Sequence, residues 1–190
     1  MIDDTVAQGE ALRLFNSAIE LDPDFASAYG RYAFAKVNGW FSDTPNEIAE
    51  VKGLAQRAVE LGKDDAIALA ASGWALAFVV RDLEAAAALI DRALVLNSNL
   101  AEAWFYSGWV KNWLGEPESA IERFAHALRL SPLDPRVTAM RSGTPHAHFL
   151  LGRYDEAASW AAMALQDNPD FQPGLRIAAA SNAKIGRAHV

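Results

Sequence analysis

Hydrophobic residues recur at helical spacing along the chain, and the same helix-ending phrase closes five of the resulting segments. In each copy an alanine is followed directly by an aliphatic residue and, within a few residues, by a polar turn. The alanines are 40, 35, 34 and 37 residues apart, at Ala18, Ala58, Ala93, Ala127 and Ala164. A period near 34 residues is typical of a unit of two helices joined by short turns. The pattern therefore predicts an array of helix pairs.

Each phrase also predicts how its helix packs and where it ends. The alanine side chain is small, so neighbouring helices can approach closely at that point. Proline follows the turn at Pro23 and Pro169, and the residue before a proline is disfavoured in the α region. Acidic residues at the predicted turns and helix starts, among them Asp64, Asp65 and Asp82, are expected to cap helices.

Some segments depart from the repeat. Residues 38–45 are additional and lengthen the turn inside one predicted pair. Pro145 falls inside a predicted first helix, so we expect that helix to start late or to kink.

Residues 101–132 carry a recognisable motif. An aromatic at Trp104 is followed by Gly108, and then by Ala120, Phe124 and Ala127, before a closing proline. This arrangement resembles the tetratricopeptide repeat (TPR) family, and the resemblance covers nearly the whole chain. It implies an all-α fold, a right-handed α-solenoid of antiparallel helix pairs. The predicted repeats of this single TPR-like domain are 11–24 (second helix only), 25–65, 66–99, 100–135, 136–170 and 171–190 (first helix only).

Composition supports the helical prediction and narrows the possible partners. Hydrophobic residues make up 52% of the 190 residues, and 38 are alanine, the best helix former. The formal net charge of -7 argues against a nucleic-acid surface, which needs basic residues, and weakly against an anionic membrane surface. The longest apolar run, 66–80, is shorter than the roughly 20 residues that span a bilayer. The absence of cysteine fits a cytoplasmic location.

In TPR arrays the first helices line the concave face, so the resemblance implies that partners bind there. Helical spacing places ten candidate partner-binding residues on this face: Arg31, Phe34, Trp74, Phe78, Phe105, Trp109, Trp113, His146, Phe149 and Arg176. Three of them, Phe105, Trp109 and Trp113, are four residues apart and are expected to form one aromatic ridge. For any one ring, packing between neighbouring helices stays an alternative to partner binding.

The sequence predicts no catalytic, cofactor or metal site. His146 and His148 are two residues apart and point to different faces of a helix, whereas metal-binding pairs are three or four apart. His126 and His189 have no acidic or histidine neighbour at a useful spacing. No phosphate-binding glycine loop and no nucleophile motif is present. A non-enzymatic protein-interaction module is therefore the favoured function.

Several phrases, at 18–25, 130–135 and 148–157, resemble the C-terminal TPR arrays of bacterial signalling proteins that carry a cyclase or winged-helix domain. This resemblance implies a regulatory segment of a larger protein, and the unpaired helices at 11–22 and 172–190 are expected in a segment cut from one. Self-association of these two end helices, giving a homo-oligomer, is the alternative function.

Overall fold

The computed structural model describes residues 4–39, 43–133 and 137–188, and every regular element in these ranges is an α-helix. The helices are α1 (Asp4–Leu21), α2 (Ala26–Val37), α3 (Pro45–Leu61), α4 (Ala66–Val79), α5 (Leu83–Leu96), α6 (Ala101–Trp113), α7 (Pro117–Leu130), α8 (Val137–Leu150), α9 (Tyr154–Asp167) and α10 (Gln172–Ala188). The predicted class, an all-α solenoid of helix pairs, is confirmed. None of the helices in the described ranges is both long and apolar enough to cross a bilayer.

The chain forms two compact units, Met1–Tyr106 (unit 1) and Ser107–Val190 (unit 2). In unit 1, α2 packs on α3 and α4, α4 packs on α3 and α5, and α1 packs on α2. Unit 2 repeats this arrangement, because α8 packs on α7, α9 and α10, and α9 also packs on α10. First helices therefore contact the next first helix directly within each unit. The exact repeat boundaries stay a prediction, and the boundary at 135/136 lies outside the described residues.

Four of the second helices, α3, α5, α7 and α9, each carry a row of three completely buried side chains. The row consists of the alanine that opens the helix-ending phrase (the phrase alanine) and the residues three and seven positions before it. The members are Val51, Ala55 and Ala58 in α3, Ala86, Ile90 and Ala93 in α5, Ala120, Phe124 and Ala127 in α7, and Ala157, Ala161 and Ala164 in α9. Each has 0% of its surface exposed. The predicted packing role of the alanine is thus confirmed in these four helices, whereas Ala18 in α1 is only half-buried.

Helix ends follow the predicted chemistry. The amide after each second helix donates to the carbonyl of the phrase alanine, as in Gly62 N to Ala58 O at 2.8 Å. At the start of α4 the Asp65 carboxylate accepts from the amides of residues 67 and 68, at 2.9 and 3.0 Å. Asp82 caps α5 through the Ala85 amide at 3.1 Å. Capping by Asp65 and Asp82 is therefore confirmed, and Asp64 forms an ion pair with Arg92 instead.

The sequence predicts that α8 starts late or kinks at Pro145. The late start is wrong, because α8 runs over Val137–Leu150 with the buried Pro145 inside it, and the kink stays a prediction. Its packing on α7 and α9 outweighs the lost proline hydrogen bond. The predicted start near residue 11 is wrong as well, because α1 covers Asp4–Leu21. The additional residues do separate α2 from α3, although 40–42 lie outside the described residues.

Candidate partner-binding surfaces

Unit 1 contains a cluster of five rings from three first helices, which we call the unit 1 aromatic cluster: Phe34, Trp74, Phe78, Phe105 and Tyr106. Trp74 is its centre, with ring centroids 5.1 Å from Tyr106, 6.1 Å from Phe105 and 6.4 Å from Phe78. Phe34 packs on Tyr106 at 5.3 Å. Such tilted and stacked pairs at 4.5–7 Å are favourable aromatic arrangements. The cluster therefore joins α2, α4 and α6 through their first-helix faces.

The rings of this cluster lie at different depths. Trp74 and Phe105 are buried, with 6% and 8% exposed, and Tyr106 is completely buried. Phe34 is half-buried, and Phe78 has 43% of its surface exposed. Phe78 is consequently the ring of the cluster that offers most surface to a partner, and the buried Trp74 packs against it.

A bidentate ion pair lies in the same unit, between α2 and the first turn of α6. The Arg31 guanidinium donates from Nη1 to Glu102 Oε2 at 2.8 Å and from Nη2 to Oε1 at 2.5 Å. The side chain of Arg31 is 26% exposed and that of Glu102 is 7% exposed. Parallel N–H to oxygen bonds of this kind are among the stronger and more specific polar contacts in proteins. Arg31 is thus engaged within the chain, and its charge is neutralised by Glu102.

Unit 2 contains a second cluster, which we call the unit 2 aromatic cluster: Trp109, Trp113, Phe124 and His146. The Trp109 ring lies 5.9 Å from Trp113, 5.8 Å from Phe124 and 5.1 Å from His146. The Phe124 and His146 rings meet Trp109 edge-on. Trp113 is 39% exposed and Trp109 is half-buried. The exposed ring of this unit is therefore again supported by a more buried tryptophan four residues earlier.

Phe124 is held between two glycines on first helices. A Cβ atom at Gly108 would lie 2.5 Å from Phe124 Cε1, and one at Gly143 would overlap the ring even more closely. The Asn112 amide also donates to the Gly143 carbonyl at 3.1 Å, on the turn of α8 that contains Pro145. The backbones of α6 and α8 therefore lie close to the Phe124 ring of α7, and this contact joins the three helices in unit 2.

His146 sits in this cluster with its Nδ1 bonded to a backbone carbonyl. The distance from Nδ1 to Ser142 O is 2.8 Å, so Nδ1 is the donor. Burial lowers the pKa of His146, and the bond to Ser142 opposes this shift. Burial also lowers the pKa of His148, whose neighbours Glu156 and Arg153 act in opposite directions.

These pKa shifts predict an acid-sensitive unit 2. In the unfolded chain the histidines bind protons below about pH 6.5. In the folded chain burial opposes this protonation, so their contribution to the free energy of unfolding is complete above that pH. The contribution is lost as the pH falls through the pKa values of the folded histidines. We expect the melting temperature to drop less between pH 7.5 and pH 5.5 in His146→Phe, which keeps a ring against Trp109, than in the parent chain. Parallel melting-temperature profiles measured by circular dichroism would contradict a contribution from His146.

The two remaining candidate residues lie apart from the clusters. Phe149, half-buried, packs on Tyr154 at 5.3 Å, and Arg176 is exposed on α10. The structure thus brings Phe34, Trp74, Phe78 and Phe105 together in unit 1. It brings Trp109, Trp113 and His146 together in unit 2. Partner binding by these residues stays a prediction.

Sequence reasoning missed three residues of these surfaces. Tyr106 and Phe124 are fully buried rings of the two clusters, and Glu102 is the partner of Arg31. The sequence pointed to Phe124, because it occupies the aromatic position of the repeat motif. It pointed only weakly to Glu102, which is the acidic residue in the first turn of a helix rich in aromatic residues.

In the part of the chain that the structure describes, no three His, Asp or Glu side chains are grouped so that they could hold a metal ion. His126 contacts Arg129, with 3.1 Å between Nδ1 and Nη2. His189 lies outside the described residues.

Comparison with known proteins identifies the fold. No protein-family model matches the sequence, and no curated protein matches it. Several solved structures are similar, however. TTC0263, a thermophilic TPR protein of Thermus thermophilus, is 20% identical, with a TM-score of 0.70 over 96% of this chain and 94% of its own. YrrB, a TPR protein described as having an unusual peptide-binding site, is 21% identical, with a TM-score of 0.60 over 91% of this chain and 84% of its own.

A third similar structure is that of MamA, which is 21% identical, with a TM-score of 0.57 over 86% of each chain. At these identities the similarity concerns the fold. The narrower resemblance to cyclase-linked or winged-helix signalling proteins receives no support from these structures. The chain has the fold of the tetratricopeptide repeat proteins.

Proposed function

We propose that this chain is a protein-interaction module that binds a peptide or protein partner through its first helices, with Phe78 as the main anchor in unit 1 and Trp113 as the main anchor in unit 2. The observation that carries the proposal is the equivalent placement of these two rings. Each follows a more buried tryptophan by four residues, Trp74 in one case and Trp109 in the other. The two pairs are 35 residues apart, which is one repeat.

An exposed ring on a rigid support is well suited to binding. Phe78 and Trp113 keep 43% and 39% of their surface exposed, and the rings behind them restrict their motion. A partner that covers such a ring gains apolar burial with little loss of side-chain entropy. Aromatic anchors of this kind carry much of the binding energy in protein interfaces.

The charges of unit 1 favour an apolar anchor in the partner. Arg31 is already neutralised by Glu102, so it is not a ready site for a partner carboxylate. YrrB, which has a similar fold, is described as a TPR protein with a peptide-binding site. A segment with apolar side chains, extended or helical, is therefore the partner that we propose. Nucleic acid is disfavoured by the net charge of -7.

A wider role is also proposed, from sequence resemblance alone. The phrases at 18–25, 130–135 and 148–157 support a regulatory segment of a cytoplasmic bacterial signalling protein. The candidate surfaces offer no constellation of acid, base and nucleophile, which fits a binding role and not an enzyme.

The anchors are tested by replacing the exposed rings. We expect Trp113→Ala and Phe78→Ala each to weaken partner binding at least tenfold, because truncation of an aromatic anchor costs about 2 kcal/mol or more. A partner would first be captured from a bacterial lysate with the parent chain, and its affinity for each variant then measured by isothermal titration calorimetry.

The control is Val95→Ala, which truncates an apolar side chain with 85% exposure on the second helix α5. We expect Val95→Ala to match the parent in circular dichroism and melting temperature. The two ring variants are expected to keep the helical circular dichroism spectrum with a lower melting temperature, because each loses its packing on a neighbouring tryptophan. Unchanged affinity in both ring variants, with intact folding, would place the binding surface elsewhere.

A further inference from the structure

The second helices α3, α5, α7 and α9 begin in the same way. The residue that precedes the N-cap of each helix has a positive φ, and these residues are Asp43 (57°), Arg81 (59°), Gly115 (78°) and Gly152 (73°). Glycine adopts this conformation without cost, and aspartate tolerates it better than most other residues. Arg81 is therefore the residue of this set that the turn does not favour.

The local structure explains why glycine suits this position but not why arginine occupies it. A Cβ atom at Gly115 or Gly152 would meet no atom within 4 Å beyond the adjoining residues, so the turn favours glycine for its φ and not for lack of room. Arg81 lies between the end of α4 and the start of α5, whose dipole charges have opposite signs and leave little net preference for a cation. The fold of the turn thus favours glycine over arginine at position 81.

Arg81 also differs from the other arginines of unit 1 in its charge contacts. Each of the others pairs with a carboxylate of the same unit at 2.5–3.4 Å, and these are Arg13, Arg31, Arg57 and Arg92. The side chain of Arg81 is exposed, and it has no ion pair with any of the residues that the structure describes. Its guanidinium is therefore available to a carboxylate of a partner.

Two exposed apolar side chains stand next to this cation. Phe78, the proposed anchor of unit 1, lies in the last turn of α4 and is 43% exposed, and Val80 is 39% exposed. The amides of Val80 and Arg81 both donate to Leu76 O, at 2.9 and 3.2 Å, which holds the backbone of Arg81 against that last turn. The acidic neighbour Asp82 is engaged in capping α5. The end of α4 therefore combines exposed apolar area with an unpaired positive charge.

We propose that Arg81 determines partner specificity in unit 1, by pairing with an aspartate or glutamate that stands next to the apolar side chain covering Phe78. This proposal rests on the proposed function, and it names the unit 1 partner as an acidic-apolar peptide segment. The chain has a net charge of -7 and repels acidic partners at long range, so an unpaired arginine beside the anchor attracts them locally and fixes where they bind. Residues held in an unfavourable backbone conformation cluster at binding and catalytic sites.

The test begins with Arg81→Gly, which removes the charge and relieves the backbone. Because glycine adopts a positive φ without cost, this variant is expected to keep the helical circular dichroism spectrum, with a melting temperature equal to or above that of the parent. Arg81→Lys keeps the charge, and Lys63→Ala removes a positive charge from another exposed turn of unit 1. A lower melting temperature in Arg81→Gly would assign Arg81 to the stability of the turn and would overturn the proposal.

The probe is a library of random peptides displayed on phage and selected on the full parent chain. The selected peptides that Phe78→Ala weakens are expected to carry aspartate or glutamate next to an apolar residue. At about 50 mM salt, Arg81→Gly is expected to weaken the binding of these synthetic peptides about three- to fivefold by fluorescence anisotropy, the range for an exposed ion pair. Arg81→Lys and Lys63→Ala are expected to bind them like the parent. The loss in Arg81→Gly is expected to disappear at about 1 M salt, because screening removes exposed charge pairs.

The two proposals fail in different ways. Affinities that Arg81→Gly leaves unchanged, or Phe78-dependent peptides without acidic residues, would overturn the role of Arg81 and leave the proposed function standing. If the selected peptides depend on Trp113 but none depends on Phe78, the role of Arg81 fails together with the anchor in unit 1. If no peptide is selected, or none depends on either ring, the proposed function itself fails.

Discussion

Replacing Phe124 by alanine is expected to destabilise unit 2 by about 3–5 kcal/mol, the cost of removing a fully buried phenylalanine. The ring is completely buried and touches the backbone of Gly108 and Gly143, so its loss leaves a cavity between three helices. Rigid helix backbones close such a cavity only in part. Urea denaturation followed by circular dichroism measures the loss, with the exposed Leu150→Ala as the control.

Gly143 provides the matched test of this packing. An alanine inside a helix is ordinarily more stable than a glycine by about 0.5–1 kcal/mol. At Gly143 the added Cβ would overlap the Phe124 ring, so we expect Gly143→Ala to destabilise the parent chain. In the Phe124→Ala background the overlap is gone, and the same substitution is expected to stabilise. Equal effects in both backgrounds would show that the ring does not require a glycine there.

Replacing Arg31 by alanine is expected to destabilise unit 1 by about 3 kcal/mol, because it removes both guanidinium bonds from a carboxylate that is 7% exposed. The expected value lies at the lower end for buried pairs, since Arg31 itself is 26% exposed. Urea denaturation of the single variant measures this cost. The double variant Arg31→Met/Glu102→Met is expected to recover most of it, because well-packed apolar side chains can replace a buried ion pair.

The control for this prediction is another ion pair of the same unit. Arg13 and Glu10 are 2.6 Å apart on α1, with side chains 63% and 52% exposed. We expect Arg13→Ala to leave the free energy of unfolding almost unchanged, since exposed pairs contribute little. If Arg31→Ala costs no more than this control, the pair does not stabilise the packing of α2 with α6.

Much of the helical framework could be predicted from local sequence. The phrase alanine, the turn residues and the capping carboxylates act within a few residues of one another. The bonds from the residue 62 amide to Ala58 O and from the Ala85 amide to Asp82 show this. The prediction was wrong for the start of α8, because packing on α7 and α9 decided it and Pro145 did not.

The candidate site was predicted less completely. Helical spacing predicts that Phe105, Trp109 and Trp113 lie on one side of α6, but it could not predict their depth. Phe105 is buried under contacts with Trp74, whereas Trp113 is 39% exposed. Depth depends on which neighbouring helices cover each turn, and these are distant in sequence.

The sequence by itself determined the helical class, the repeat and the helix ends, because these depend on period, side-chain size and local hydrogen bonds. Only the tertiary structure decided which aromatic rings are exposed and that Arg31 pairs with Glu102, 71 residues away. It also showed that the row of apolar residues buried in four second helices is half-uncovered in α1. Burial depends on the neighbouring helices, so the same local pattern differs in burial when different helices pack against it.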